Sequence, residues 1–130
     1  NCNGSQTRTG HHMARILAID DSPSIRALVS TALGTDGHAV TSACDGAEAL
    51  TLVSSQAFDL VITDINMPVM NGIEFIKRYR EKQKFTPVLV LTTEVNPTLR
   101  QSAKAAGATG WLVKPFQAEA LRTLVKNLLA

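Results

Sequence analysis

The chain has 130 residues, of which 45% are hydrophobic, and its thirteen basic and eleven acidic residues give a formal net charge of +2. These values allow one domain with one core, and the small charge excludes the strongly basic surface that nucleic-acid binding needs. No apolar run is long enough to cross a membrane or to act as a signal peptide. Two cysteines are too few for a disulfide framework. We therefore expect a soluble, cytoplasmic monomer that binds neither nucleic acid nor membrane.

The first twelve residues differ in composition from the rest of the chain. Residues 1–12 are rich in Asn, Gly, Ser, Thr and Gln, and they end in His11-His12. Such a segment has too little apolar surface to fold, and it is typical of a vector-derived leader. A metal site at the two histidines would need further ligands, which are absent nearby. We predict a disordered leader over 1–12 and a folded domain over 13–130.

Apolar strands alternate with amphipathic helices along the predicted domain. The strands are predicted over 15–19, 38–43, 60–63, 87–91 and 111–113. Four helices are predicted to begin at the capping residues Ser22, Asp45, Asn71 and Asn96, and the first and fourth are predicted to end at Gly34 and Gly107. A fifth helix is predicted over about 117–128. The third helix is predicted to bury Ile73, Ile76 and Tyr79. Five strands that alternate with five helices indicate an α/β fold, with helices on both faces of a parallel sheet.

Polar side chains follow four of the predicted strands. Asp20 and Asp21 follow the first strand, Asp64 the third, Thr92 the fourth and Lys114 the fifth. Parallel strands end at the same edge of a sheet, where α/β proteins form their ligand crevice. Each residue alone could be a turn former, an ordinary strand residue or a solvated charge. Their shared position at one edge favours a functional site.

The residue types at this edge suit phosphoryl transfer. Three neighbouring carboxylates repel, so without a cation at least one should have a raised pKa. Mg²⁺ typically binds one or two carboxylates and leaves positions for phosphate oxygens. A carboxylate can form an acyl phosphate, while an ammonium and a hydroxyl hold the phosphoryl oxygens. The sequence therefore predicts a Mg²⁺-dependent site with Asp64 as the nucleophile and Asp21 as a metal ligand.

These residues resemble the receiver domain of two-component response regulators, in particular the CheY-like single-domain chemotaxis regulators. The resemblance covers about residues 15–128. It is carried by Asp20-Asp21-Ser22 with Arg26, Asp45-Gly46-x-Glu48-Ala49-Leu50, Asp64-x-x-Met67-Pro68-x-Met70-Asn71-Gly72, Thr92 and Lys114-Pro115-Phe116. It implies a flavodoxin-like, doubly wound five-stranded parallel sheet of order 2-1-3-4-5 with five helices.

The resemblance also implies a role for each residue of the metal and phosphoryl site. Asp64 would be the phosphoacceptor. Asp21 and Asp64 would bind Mg²⁺ together with the backbone carbonyl of Asn66, and Asp20 would support the ion through water. Lys114 would pair with the phosphoryl group.

Further implied roles concern switching and dephosphorylation. Thr92 would hydrogen-bond the phosphoryl group and act as a switch residue together with Trp111, which stands where Tyr or Phe is commoner. Side chains at Asn66 and Glu94 would tune the loss of the phosphoryl group. The resemblance further implies a cis peptide bond between Lys114 and Pro115.

The implied function is a phosphorylation-activated signalling switch of a chemotaxis two-component system. The phosphodonor would be a histidine kinase, and a motor or effector protein would bind helix 4, strand 5 and helix 5. Basic residues on these elements favour a partner with an acidic segment. They are Arg100, Lys104, Arg122 and Lys126. The protein would not be an enzyme for other substrates, because it would catalyse only its own phosphoryl transfer and aspartyl-phosphate hydrolysis.

Three alternatives remain open at this point. The chain could be the receiver domain of a larger response regulator. A small metal-dependent phosphohydrolase would need a separate acid or base near the nucleophile, which is not evident. A dinucleotide-binding domain would need a glycine-rich turn after the first strand, where Asp21-Ser22-Pro23-Ser24 stands instead.

Overall fold

A parallel five-stranded sheet forms the centre of the structure. The computed structural model describes residues 13–93 and 95–130, so the predicted leader 1–12 and Glu94 lie outside the described residues. The sheet has the order β2-β1-β3-β4-β5, which confirms the flavodoxin-like prediction. Its strands are β1 (Arg15–Ile19), β2 (Ala39–Ala43), β3 (Leu60–Thr63), β4 (Val88–Thr92) and β5 (Gly110–Val113).

Helices cover both faces of this sheet. They are α1 (Pro23–Thr35), α2 (Gly46–Ser55), α3 (Gly72–Arg80), α4 (Pro97–Ala106) and α5 (Ala118–Leu129). One apolar cluster packs α2, α3 and α4 against one face, and a second packs α1 and α5 against the other. All residues of β3 and β4 are consequently buried, as expected for strands covered on both sides. Across the described ranges, no helix has both the length and the apolar character needed to span a bilayer.

The helices begin where the sequence places their caps. At four helices the side chain of the N-cap residue accepts a hydrogen bond from a backbone N–H of the first turn. This bond satisfies an N–H group that has no partner within the helix. The four N-cap residues are Ser22, Asp45, Asn71 and Asn96. The predicted end of α1 at Gly34 is wrong. The helix continues through Thr35, and Gly37 rather than Gly34 adopts a positive φ, of 87°.

The buried face of α3 differs from the predicted one. Phe75, Ile76 and Tyr79 are buried, whereas Ile73 is only partly buried. The rings of Phe75 and Tyr79 stack one helical turn apart, with centroids 5.6 Å apart and an interplanar angle of 11°. The helix therefore turns its aromatic residues toward the sheet.

Arg80 joins the end of α3 to the end of α4. Its Nε and Nη2 donate to the carbonyl oxygen of Gly107 at 3.1 and 2.8 Å, and its Nη1 donates to the carbonyl oxygen of Gln83 at 2.9 Å. Gly107 has a φ of 124°, and a Cβ there would lie 2.7 Å from the Arg80 side chain. The guanidinium thus occupies the space that the glycine leaves open.

We expect Arg80→Ala to lower the free energy of unfolding by about 2 kcal/mol, because hydrogen bonds made by charged groups contribute roughly 1.5–3 kcal/mol. Arg78→Ala is the matched control on the same helix. It removes only an exposed ion pair with Glu74, for which we expect a loss of about 0.5 kcal/mol or less. Urea denaturation measures both values. Equal losses of unfolding free energy in the two variants would contradict the role of Arg80 in linking the ends of α3 and α4.

Candidate functional site

Three carboxylates meet at the carboxyl edge of the sheet. Asp20 and Asp21 follow β1, and Asp64 follows β3, the neighbouring strand. One oxygen atom from each carboxylate lies within 4.8 Å of the other two. Asp20 and Asp64 are 4% and 7% exposed, whereas Asp21 faces solvent. The structure therefore brings together the three acidic residues that the sequence places at this edge.

The ammonium group of Lys114 bridges two of these carboxylates. Its Nζ donates to Oδ2 of Asp20 at 2.7 Å and to Oδ2 of Asp64 at 3.1 Å, and only 10% of its side chain is exposed. The backbone N–H of Lys114 donates to the carbonyl oxygen of Thr92 at 2.8 Å, which fixes the loop after β5 against the end of β4. The Lys114-Pro115 peptide bond is cis, as the resemblance implied.

Burial and charge together shift the pKa values of this group of residues. Burial raises the pKa of Asp20, and the hydrogen bonds from Lys114 and Ser22 only partly oppose that effect. Burial alone would lower the pKa of Lys114, but the hydrogen bond to Asp20 and the charges of Asp64 and Asp20 raise it. A raised carboxyl pKa was predicted here. Its main cause at Asp20 is burial, and repulsion from Asp64 adds to it.

Asp64 is held by its own loop and by the start of α3. Its Oδ1 accepts a hydrogen bond from the backbone N–H of Ile65 at 2.7 Å. The hydroxyl of Thr63 donates to the carbonyl oxygen of Asp64 at 2.8 Å. A Cβ at Gly72 would overlap that same carbonyl oxygen, so the first residue of α3 packs directly against the backbone of Asp64.

Thr92 and Trp111 lie on the two strands beyond β3. Thr92 is the last residue of β4 and is fully buried at the same edge. Trp111 pairs with Val90 across β4 and β5 and is partly buried. The guanidinium of Arg100 lies 5.7 Å from the centre of the Trp111 ring. Arg100 and Trp111 line a groove of about 380 Å³ between α4 and β5, and Lys104 lines it as well.

A sequence profile described as the response regulator receiver domain matches residues 16–126. The chain belongs to this receiver domain family. Its match covers all ten elements of the sheet and helices except the first residue of β1 and the last residues of α5.

The receiver domain is similar to solved structures over nearly its whole length. The chemotaxis response regulator CheY4 of Vibrio cholerae is 51% identical, with a TM-score of 0.87 over 91% of this chain and 100% of CheY4. The response regulator TrrA of Thermotoga maritima, solved in complex with Mg²⁺-BeF, is 38% identical, with a TM-score of 0.82 over 90% of this chain and 100% of TrrA.

Curated relatives are longer proteins. The sensor histidine kinase TmoS of Ectopseudomonas mendocina is 39% identical over 118 residues, which are 89% of this chain and 12% of TmoS. The response regulator PhoP of Pseudomonas aeruginosa is 36% identical over 115 residues, which are 88% of this chain and 51% of PhoP. This receiver domain thus corresponds to a small part of TmoS and to about half of PhoP.

The donor set of the receiver domain fits a hard divalent cation. The clustered side chains of Asp20, Asp21 and Asp64 offer only oxygen atoms, which are the ligands that Mg²⁺ prefers. Asn66, two residues after Asp64, is exposed in the loop that leads to α3. Glu94, which was predicted to tune dephosphorylation, lies outside the described residues.

Two contacts of the site were not predicted. Arg26 Nη1 donates to the carbonyl oxygen of Asp20 at 2.6 Å, although the sequence indicated Arg26 only as a member of the motif. Its place four residues after the cap Ser22 is the signal that could have identified it, because residues so spaced face the same side of a helix. The bond from Ile65 N–H to Asp64 depends on the local backbone and has no such signal.

Proposed function

We propose that residues 13–130 act as a phosphorylation-activated switch in a two-component system and accept a phosphoryl group from a histidine kinase on Asp64. The observation that carries the proposal is the buried ammonium of Lys114, which lies between Asp20 and Asp64 inside the acidic cluster. An ammonium so placed offsets the charge of the nucleophile and remains available to the incoming phosphoryl oxygens. Because a kinase of this class uses ATP, the proposal includes a cytoplasmic location for the protein.

The proposed transfer step builds on the contacts of Asp64 with Lys114 and with Ile65 N–H. A carboxylate oxygen of Asp64 attacks phosphorus as the N–P bond of a phosphohistidine breaks, and the electron pair of that bond stays on the imidazole. The bond from Ile65 N–H to Oδ1 orients the carboxylate during attack. Lys114 then pairs with a phosphoryl oxygen, and the hydroxyl of Thr92 donates to another.

Mg²⁺ fits the same site through oxygen ligands. Asp21, Asp64 and the backbone carbonyl of Asn66 would hold the ion, with Asp20 supporting it through water. When bound, the ion would neutralise charge on the phosphoryl oxygens. Asn66 and Glu94 are proposed to tune how fast water removes the phosphoryl group.

The proposed output surface is formed by α4, β5 and α5. Thr92 and Trp111 would transmit phosphorylation to it, and the groove beside Trp111 offers basic groups from Arg100 and Lys104 to an acidic segment of a motor or effector protein. Arg122 contributes less than its sequence position suggested, because its guanidinium makes two hydrogen bonds to Asp36. The similarity to the chemotaxis protein CheY4 supports chemotaxis as the process.

A second candidate is the receiver domain of a larger regulator, which the partial coverage of PhoP and TmoS favours. The chemistry on Asp64 would be the same. The mass of the full gene product distinguishes the two.

Acetyl phosphate with Mg²⁺ tests the proposed chemistry directly. Intact mass spectrometry should show one phosphoryl group per chain, on an acyl phosphate that base removes. Steady turnover of small phosphoesters without a labelled protein would instead indicate a phosphohydrolase and would overturn the proposal.

We expect the emission of Trp111, the single tryptophan of the chain, to change when Mg²⁺ and beryllofluoride are added together. The ring lies partly buried beside Arg100 on the strand that leads to Lys114, so a rearrangement at the phosphoryl site should alter its surroundings. Fluorescence titration measures the change. The Asp64→Asn protein is the control and should not respond, whereas equal spectra for the original protein in all conditions would count against the switch.

A further inference from the structure

Arg26 contacts the loop that carries two of the acidic residues, although it is not one of the proposed ligands. Its side chain is partly buried on α1, and its Nη1 donates to the carbonyl oxygen of Asp20 at 2.6 Å. Its backbone N–H donates to the carbonyl oxygen of Ser22 at 3.1 Å. The side-chain bond therefore holds the peptide group that joins Asp20 to Asp21, whereas the backbone bond is the first hydrogen bond of α1 and does not depend on the side chain at this position.

Asp21 needs such support more than its neighbours do. The carboxylate of Asp20 accepts hydrogen bonds from Ser22 N–H and Lys114 Nζ, and that of Asp64 accepts them from Ile65 N–H and Lys114 Nζ. Within the described residues the carboxylate of Asp21 accepts none, and it faces solvent. Its position is thus set by its backbone, which Arg26 fixes.

We propose that Arg26 is a positioning residue that holds the β1–α1 loop so that the carboxylate of Asp21 faces the cation position. The inference rests on the proposed function, since it concerns Mg²⁺ at the same site. Groups that orient metal ligands without touching the ion commonly change affinity by 10-fold to 100-fold. The side chain of Arg26 acts on the ligand through the carbonyl oxygen of Asp20, the residue before Asp21.

A charge effect of Arg26 would have the opposite sign. The guanidinium is positive and close to the acidic cluster, so its charge repels a bound cation. Its field also reaches the cap of α2: the pKa of Glu48 is lowered, first by hydrogen bonds from Cys44 and further by the charge of Arg26. Removal of the charge alone should therefore strengthen Mg²⁺ binding, whereas loss of positioning should weaken it.

Calorimetric titration with MgCl₂ separates the two effects. We expect Arg26→Met, which keeps the apolar stem but has no donor, to raise the dissociation constant of Mg²⁺ about tenfold. Arg26→Lys keeps a donor and the charge and should stay within about threefold of the original protein. Lys82→Met, an exposed lysine on the loop after α3, is the control for a change in net charge and should leave the constant unchanged.

A double-mutant cycle distinguishes positioning from a general loss of structure. In an Asp21→Asn background the ligand that Arg26 serves is gone, so Arg26→Met should weaken Mg²⁺ binding much less than it does alone. The role of Arg26 would be overturned if Arg26→Met weakened binding equally in both backgrounds, or if Arg26→Met alone left binding unchanged or made it tighter. In either case, Mg²⁺ binding by the original protein would still support the proposed function. No Mg²⁺ binding by the original protein would overturn both.

Discussion

Asp64→Asn is expected to reduce labelling by acetyl phosphate and Mg²⁺ to background. Asparagine has nearly the shape of aspartate, and its amide oxygen can still accept the hydrogen bond from Ile65 N–H. It lacks the negative charge that attacks phosphorus, so no acyl phosphate can form. The loss should therefore be chemical, with the fold retained. Intact mass spectrometry after a fixed labelling time measures it.

Asp59→Asn is the matched control, because Asp59 precedes the same strand β3 that Asp64 follows. Its carboxylate accepts a hydrogen bond from Arg15 N–H at 2.8 Å at the opposite edge of the sheet. This variant should label like the original protein. If both variants lost labelling, a general loss of structure would explain the result, and if both kept it, the phosphoryl group would be on another residue.

Lys114→Met is expected to lower the free energy of unfolding by about 3 kcal/mol at pH 7 without Mg²⁺. The variant leaves the buried carboxylates of Asp20 and Asp64 without their cation, and breaking a buried ion pair at one partner typically costs 3–5 kcal/mol. Lys82→Met, which changes an exposed lysine, should have little effect. Added Mg²⁺ should recover part of the loss, because the ion supplies positive charge to the same oxygens.

The deficit of Lys114→Met should shrink as the pH falls from 7 toward 4. Burial already raises the pKa of Asp20 above its ordinary value of 3.8, and without the hydrogen bond from Lys114 the pKa should rise further. The folded state then binds more protons than the unfolded state above pH 3.8, so the stability of the variant rises on acidification. Urea denaturation at several pH values in EDTA measures this. A deficit that is constant with pH would contradict the electrostatic cause.

The order of elements and the place of the site could be predicted from the sequence because both depend on local or general rules. Caps at Ser22, Asp45, Asn71 and Asn96 act within one helical turn, so their residue types indicate where helices begin. The meeting of Asp20, Asp64 and Lys114 follows from the parallel sheet, which ends all its strands at one edge.

Other features depend on packing that residue types alone do not encode. Phe75 is buried instead of Ile73 because the neighbours of α3 decide which side of the helix is covered. Val69 has a φ of 70°, which β-branched residues rarely adopt, because Met70 N–H closes a three-residue turn onto the carbonyl oxygen of Pro68 at 2.7 Å. The carbonyl contacts of Arg26 likewise appear only once α1 is set against its loop.

The contact between Gly72 and the Asp64 carbonyl limits how this protein can be engineered. Libraries that vary the loop between β3 and α3, to test its proposed effect on the lifetime of the phosphorylated form, can include Asn66 and Val69, whose side chains face solvent. Position 72 must stay glycine in every member, since even alanine would push against the backbone of Asp64. Biosensor designs built on this scaffold should keep that position constant and place their diversity around it.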